Sequence, residues 1–201
     1  MLRNLQKQDF YIVDSPHLQL LEIHLLEFYL IQFHKKNQLH YQLRGLSIYN
    51  RIPEERLPAN IRIDKLIVHK AQRQLLAYSN DTLIKSYEIS LGGEPIGDKE
   101  CEGDNKTPEG IYKINDKNPN SGYHKNLGIS YPNASDIEHA KQIGKPVGGD
   151  IKIHGIRNFM WFIGKYHRLY DWTLGCIAVT DEEIDELYDA VSIGTTIEIK
   201  P

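Results

Sequence analysis

From Ser15 onward the apolar positions Leu18, Leu21, Leu25 and Phe28 recur at helical spacing behind a Ser-Pro start, which predicts an amphipathic helix of about four turns. The stretch "IYNRIPEERLPAN", residues 48 to 60, breaks that period with two prolines and mixed charges and reads as a linker. A boundary near Ala59 divides the chain into a helical segment, 1–58, and a second unit, 59–201. Beyond it the period shortens to two. "DKLIVHK" and "RQLLAYS" predict a hairpin, "TLIKSYEISL" a third strand, and "GIYKIN", "LGISYPN" and "GDIKIHG" further strands, the last with Ile151 and Ile153 alternating. "SDIEHAKQIG" predicts a short helix. In "TDEEIDELYDAV", Thr180 is a cap, Glu183 completes a capping box, and Ile184, Leu187, Tyr188 and Val191 share one face. "GTTIEIK" closes the chain as a strand. The expected class is a β-rich α+β domain with a few short helices.

A net charge of −3 with both signs interspersed provides no basic footprint for nucleic acid or anionic lipid. No uncharged apolar run is long enough to span a bilayer, and Glu22, His24 and Glu27 interrupt the segment where a secretory signal would be purely apolar. No signal peptide is therefore expected.

Two cysteines cannot build a disulfide framework. Cys101 lies in the polar loop "GDKECEGDNK", part of a long Gly-rich connection of the kind that tends to be functional. Cys176 follows a glycine in "DWTLGCIAVTDEE", and Gly175 lets the backbone bend so that N–H groups converge as an oxyanion site requires. His154 ends a predicted strand and is followed by Gly155. A histidine beside a cysteine lowers the thiol pKa and makes the thiolate dominant, which is the expectation here. A buried core cysteine is the alternative. His124, His139 and His154 with Cys176 are enough ligands for zinc, although none has a short metal-binding spacing.

"TPEGIYKI" at 107–114, "IHG" at 153–155 and "DWTLGCIAV" at 171–179, in this order, resemble the L,D-transpeptidase catalytic domain (YkuD) family. That family carries Thr-Pro-x-Gly-x-Tyr/Phe, then His-Gly, then Ser/Thr-x-Gly-Cys. The likeness spans roughly 62–200 and implies a β-sandwich or barrel-like catalytic domain. It also implies peptidoglycan chemistry, in which a thiolate attacks the carbonyl at the L-centre of diaminopimelate in a stem peptide, expels D-alanine and passes the acyl group to an amine. The amine belongs to a neighbouring stem or to an anchored lipoprotein; hydrolysis by water is the alternative outcome, and a non-catalytic wall-binding module a further one.

Carried onto this chain, the resemblance makes Cys176 the nucleophile, His154 the base and acid, and Gly175 with its neighbours the oxyanion donors, with no metal or organic cofactor needed. The motif "DWTLGCIAVT" resembles a subgroup of envelope proteins, one of them associated with detaching lipoprotein from peptidoglycan. Two departures stand out: Leu174 replaces a family histidine and Ala178 a family arginine. His167 is the candidate substitute for the first and Arg168, as carboxylate binder, for the second. Asp171, Trp172, Thr173, Tyr131 and Gly155 complete the candidate substrate contacts, while Thr107, Pro108 and Gly110 shape a turn beside the site. Through its substrate, the resemblance implies a place in the periplasm or cell envelope.

Overall fold

The computed structural model describes residues 55–201. The helix expected from Ser15 and most of the expected linker lie outside the described residues.

Eight strands form one mixed sheet in the order β3-β2-β1-β8-β4-β5-β6-β7. β1 (Ile63–His69) and β2 (Gln74–Ser79) make the predicted hairpin, and β3 (Thr82–Glu88) pairs antiparallel with β2. β1 also runs parallel to β8 (Val191–Lys200), the last strand in sequence, whose Val191, Thr195, Ile197 and Ile199 alternate into the core. β4 (Gly110–Ser121) pairs through residues 110–113 with β8, then through 114–121 with β5 (His124–Ile129). β6 (Lys152–His154) adds antiparallel to β5, and β7 (Ile177–Ala178) adds parallel to β6.

The sheet curls until Ser90, just beyond β3, exchanges two backbone hydrogen bonds with Ala178 on β7, at 3.0 and 2.8 Å. Leu66, Leu75 and Ile197 from one half and Leu127, Ile153 and Ile177 from the other fill one buried core. Fully burying each such side chain contributes about 1.5–3 kcal/mol, so this shared interior holds the curl closed.

Helix α1 (Ala134–Gln142) is capped by Asn133, with Asp136 reciprocating. α2 (Asp181–Ala190) is capped by Thr180 and Glu183 as the sequence predicts, and inserts Ile184 and Leu187 into the core. It runs into β8 without a loop, so β8 starts three residues before the predicted strand. A 3-10 helical segment, Trp161–Leu169, was not foreshadowed by any period. The β4–β5 hairpin through "DKNPNSGY" is likewise longer than predicted. Among the described residues β4 beyond Ile114 pairs only with β5, and an edge strand tolerates Pro119 because no described neighbour on that side needs its missing N–H.

Candidate active site

β6 and β7 set the geometry. Ile153 lies opposite Ile177 and His154 opposite Ala178, and both isoleucines are fully buried. Side chains alternate along a strand, so Lys152 and His154 turn to the other face, shared with Ala178 and with Cys176 one residue before β7. Cys176 and His154 are thus diagonal neighbours. A strand spacing of ~4.8 Å and a two-residue rise of ~6.6 Å put their Cα atoms about 8 Å apart.

The turn that carries Cys176 is fixed from three directions. Thr173, buried, donates from Oγ1 to the Cys176 carbonyl at 2.7 Å and accepts from Gly175 N–H at 3.2 Å. Gly175 has φ +126°, and a Cβ there would stand 2.7 Å from the Lys106 carbonyl oxygen. A Cβ on Gly92 would fall 2.1 Å from the Asn105 oxygen and 3.0 Å from Gly175 Cα. Three backbone segments therefore cross where no side chain fits. Thr107 ties them together by accepting Gly92 N–H at 3.0 Å. Below it the buried Lys70 ammonium donates to the carbonyls of Gly97 and Thr107 and to Glu109 Oε1. Of Thr107, Pro108 and Gly110, expected to shape a turn beside the site, Thr107 lies at this crossing and Gly110 begins β4.

His154 is buried and donates from Nδ1 to the Gly155 carbonyl at 2.7 Å, which fixes the tautomer and leaves the Nε2 lone pair as an acceptor. The Tyr123 ring lies 4.6 Å from the imidazole and the Trp172 ring 5.7 Å from it, edge on. Burial lowers the His154 pKa to about 4, and the Lys152 charge adds to that. The half-buried Cys176 donates from its thiol to the Asp150 carbonyl at 3.6 Å. Burial pushes this thiol up to about 11; the Lys152 amide beside the sulfur pulls the other way, and the Asp150 charge reinforces the rise. The pair at neutral pH is consequently thiol and neutral imidazole. This corrects the expected resting thiolate, because burying both groups disfavours both charges.

Several sequence candidates are engaged elsewhere. Gly175 N–H is bound to Thr173 Oγ1, and the same Thr173 hydroxyl holds the turn through the Cys176 carbonyl. The Arg168 side chain is 6% exposed and pairs with Glu183 Oε1 at 2.7 Å and Glu88 Oε2 at 3.4 Å. Glu183 is the capping-box residue of α2, and its charge holds the guanidinium inward. Asp171 takes a two-pronged contact from Arg73, 2.6 Å at the closest, and the Leu91 N–H at 2.9 Å. Tyr131 belongs to the core, where its hydroxyl donates to the Val147 carbonyl. Gly155 is buried, and an added Cβ would stand 2.6 Å from Asp181 Oδ1. His167 is buried against Ser90, whose Oγ donates to the His167 carbonyl at 2.7 Å and lies 3.3 Å from Nδ1. It secures the chain that closes the sheet at Ala178. The Trp172 ring stands beside His154.

The zinc alternative does not assemble: His139 is exposed on α1 and His124 pairs with Asp185 at 2.8 Å. Among the described residues no three His, Cys, Asp or Glu side chains gather as a metal site. Both cysteines are free. No helix among the described residues is long and apolar enough to cross a membrane.

Sequence reasoning missed Lys152, Asn126 and Tyr123. The first was accessible, since alternation of Ile151 and Ile153 puts Lys152 on the His154 face. Asn126 lies opposite His154 on β5, with its buried Oδ1 unbonded among the described residues; Trp172 Nε1 is buried and unbonded as well. Nothing in the sequence pairs either with His154.

A curled β-rich domain carrying a cysteine and a tautomer-fixed histidine on one face defines a candidate acyl-transfer domain. Residues 63–199 match the family model "L,D-transpeptidase catalytic domain". The chain belongs to this L,D-transpeptidase (YkuD) family. YafK of Escherichia coli K12 is 31% identical over 154 residues, covering 75% of this chain and 50% of its own. The crystal structure of the helical cell shape determining protein Pgp2 from Campylobacter jejuni is 26% identical, with a TM-score of 0.51 over 70% of this chain and 48% of that one. Bd1075 of Bdellovibrio bacteriovorus shares the fold, at 24% identity and TM-score 0.50 over 71% of this chain and 49% of its own. The chain spans about half the length of these relatives.

Proposed function

We propose that this domain is a cysteine L,D-transpeptidase of the bacterial envelope acting on peptidoglycan stem peptides. The observation that carries the reading is His154 Nδ1–H bound to the Gly155 carbonyl, which reserves Nε2 as a base on the face shared with Cys176. Family membership supplies the substrate class.

As substrate enters, Nε2 accepts the Cys176 proton while Sγ bonds to the carbonyl carbon at the L-centre of diaminopimelate. General-base removal makes the nucleophile only when it is needed, so a high resting thiol pKa is no obstacle. The oxyanion is received by the Cys176 amide, since the Gly175 amide is engaged. Imidazolium returns the proton to the departing D-alanine nitrogen as the C–N bond breaks, leaving a thioester. An acceptor amine then attacks, gives its proton to Nε2, and the thiolate leaves and is reprotonated by the imidazolium. The buried Trp172 N–H and Asn126 Oδ1, a donor and an acceptor unbonded among the described residues, support binding of a polar ligand beside His154.

The test is incubation of the chain and its Cys176→Ala variant with tetrapeptide muropeptides, with and without an amine acceptor, read by mass spectrometry. We expect an acyl adduct on Cys176, released D-alanine, and a product bearing the acceptor. Tripeptide formed even in excess acceptor would assign hydrolysis instead. A peptide acceptor that ends in a lysine, as an anchored lipoprotein would present it, distinguishes anchoring from cross-linking. Equal products from wild type and Cys176→Ala would refute the reading.

A further inference from the structure

With Arg168 engaged and Ala178 uncharged, Lys152 can be set beside Arg73, Lys70 and Lys99 by what already holds each. Arg73 is clamped on Asp171. Lys70 spends its donors on two carbonyls and Glu109. The Lys99 side chain is 4% exposed and bound to Asp104 and the Cys101 carbonyl. Lys152 differs. Its backbone lies against the Cys176 sulfur and its side chain leaves β6 on the His154 face; its ion-pair partner, Asp150, at 2.5 Å, is 82% exposed. Lys152 itself is 28% exposed, and a pair whose carboxylate stands that far in water is weakly held and can exchange for another anion.

We propose that Lys152 binds the terminal carboxylate of the acyl-donor stem peptide and thereby selects donors that end in a free acid. This rests on the reading of the site as an L,D-transpeptidase centre. Lys152 and Cys176 stand on adjacent backbone rows, ~4.8 Å apart, and a lysine stem extends roughly 6 Å, so the ammonium reaches about one peptide residue from Sγ. In a tetrapeptide donor that residue is the departing D-alanine, whose carboxylate lies two bonds beyond the scissile nitrogen. A carboxylate there would displace or share Asp150. Loss of D-alanine would then remove the anion from Lys152, so that the thioester no longer occupies the carboxylate site and the acceptor can enter.

The experiment compares wild type, K152M and K152R on tetrapeptide donors carrying either a free C-terminal acid or a carboxamide. Wild type is expected to favour the acid. K152M should raise KM for the acid about tenfold or more, the size of one charge-assisted hydrogen bond, leave KM for the carboxamide unchanged, and be rescued in large part by K152R. Binding of both peptides to Cys176→Ala, with and without K152M, by calorimetry reads the same discrimination without turnover. A melting shift of no more than a few degrees checks that K152M folds. Equal treatment of acid and carboxamide by active wild type, or an equal loss on both from K152M, would overturn the inference while the proposed function stands. No Cys176 adduct and no binding of either peptide would overturn both.

Discussion

The protonation state of the resting pair has a direct chemical readout in the alkylation rate of Cys176. A thiol pKa of about 11 leaves about one molecule in ten thousand as thiolate at pH 7, against about 3% for an ordinary cysteine of pKa ~8.5, a deficit of about 300-fold. A more basic thiolate is intrinsically more nucleophilic, and a Brønsted slope of ~0.45 over ~2.5 units returns about 13-fold. Iodoacetamide should therefore modify Cys176 about 25-fold more slowly than a free cysteine at pH 7, before any steric contribution. The rate should climb about tenfold per pH unit to about pH 10. Peptide mass mapping in a Cys101→Ser background assigns the modified site. His154→Gln should hardly change this rate, since the imidazole does not ionise the resting thiol, yet should abolish acylation by stem peptide. A plateau above pH 6 at a rate exceeding free cysteine, lost in His154→Gln, would refute the neutral pair and restore the thiolate–imidazolium form expected from the sequence.

Stability should carry the same signature with the opposite approach in pH. The folded His154 pKa of about 4 lies below an unfolded value of about 6.5, so the unfolded chain takes up the proton first as pH falls. The contribution is full above about pH 6.5, is lost between 6.5 and 4, and is worth about 3 kcal/mol; urea titrations of wild type and His154→Gln should diverge by that order across this window. Gly175→Ala places a Cβ 2.7 Å from the Lys106 carbonyl at φ +126°, and should cost about 1–3 kcal/mol in denaturation and most of the Cys176 adduct. Arg168→Met strands Glu183 and should destabilise by about 3–5 kcal/mol, with Arg168→Met/Glu183→Gln recovering much of that. KM for donor peptides on the folded fraction should not move; a rise confined to acid-terminated donors would return the carboxylate role to Arg168.

Local signals were legible where the physics is local. The β1–β2 meander and the Thr180 and Glu183 cap depend on side-chain period and on partners three residues away, and the structure contains them. β4 and β7 were harder. Half of β4 is a polar edge whose pairing is decided by β5, and β7 is two residues long, held by β6 on one side and by Ser90 on the other. No periodicity accumulates over two residues. The 3-10 segment owes its placement to partners such as Ser90, 77 positions from His167, which a window along the chain does not include.

The candidate site shows the same division within a single motif. In "DWTLGC" every polar or special residue looks chemical, yet Asp171 answers Arg73 from 98 positions away, Thr173 hydrogen-bonds two and three residues ahead, and Gly175 yields to a carbonyl of the 105–107 crossing. Each is needed because Cys176 hangs on a turn at the rim of the sheet, where ladder hydrogen bonds stop and orientation must come from elsewhere. The motif is a mount for one sulfur, and the proposed base His154 and proposed carboxylate binder Lys152 lie on β6, set two apart by strand alternation. Binding and proton transfer can then be altered separately from the turn: a substitution at Lys152 should change which donor is accepted, one at His154 whether it reacts, and one at Gly175 or Asp171 whether Cys176 is held in place to meet it.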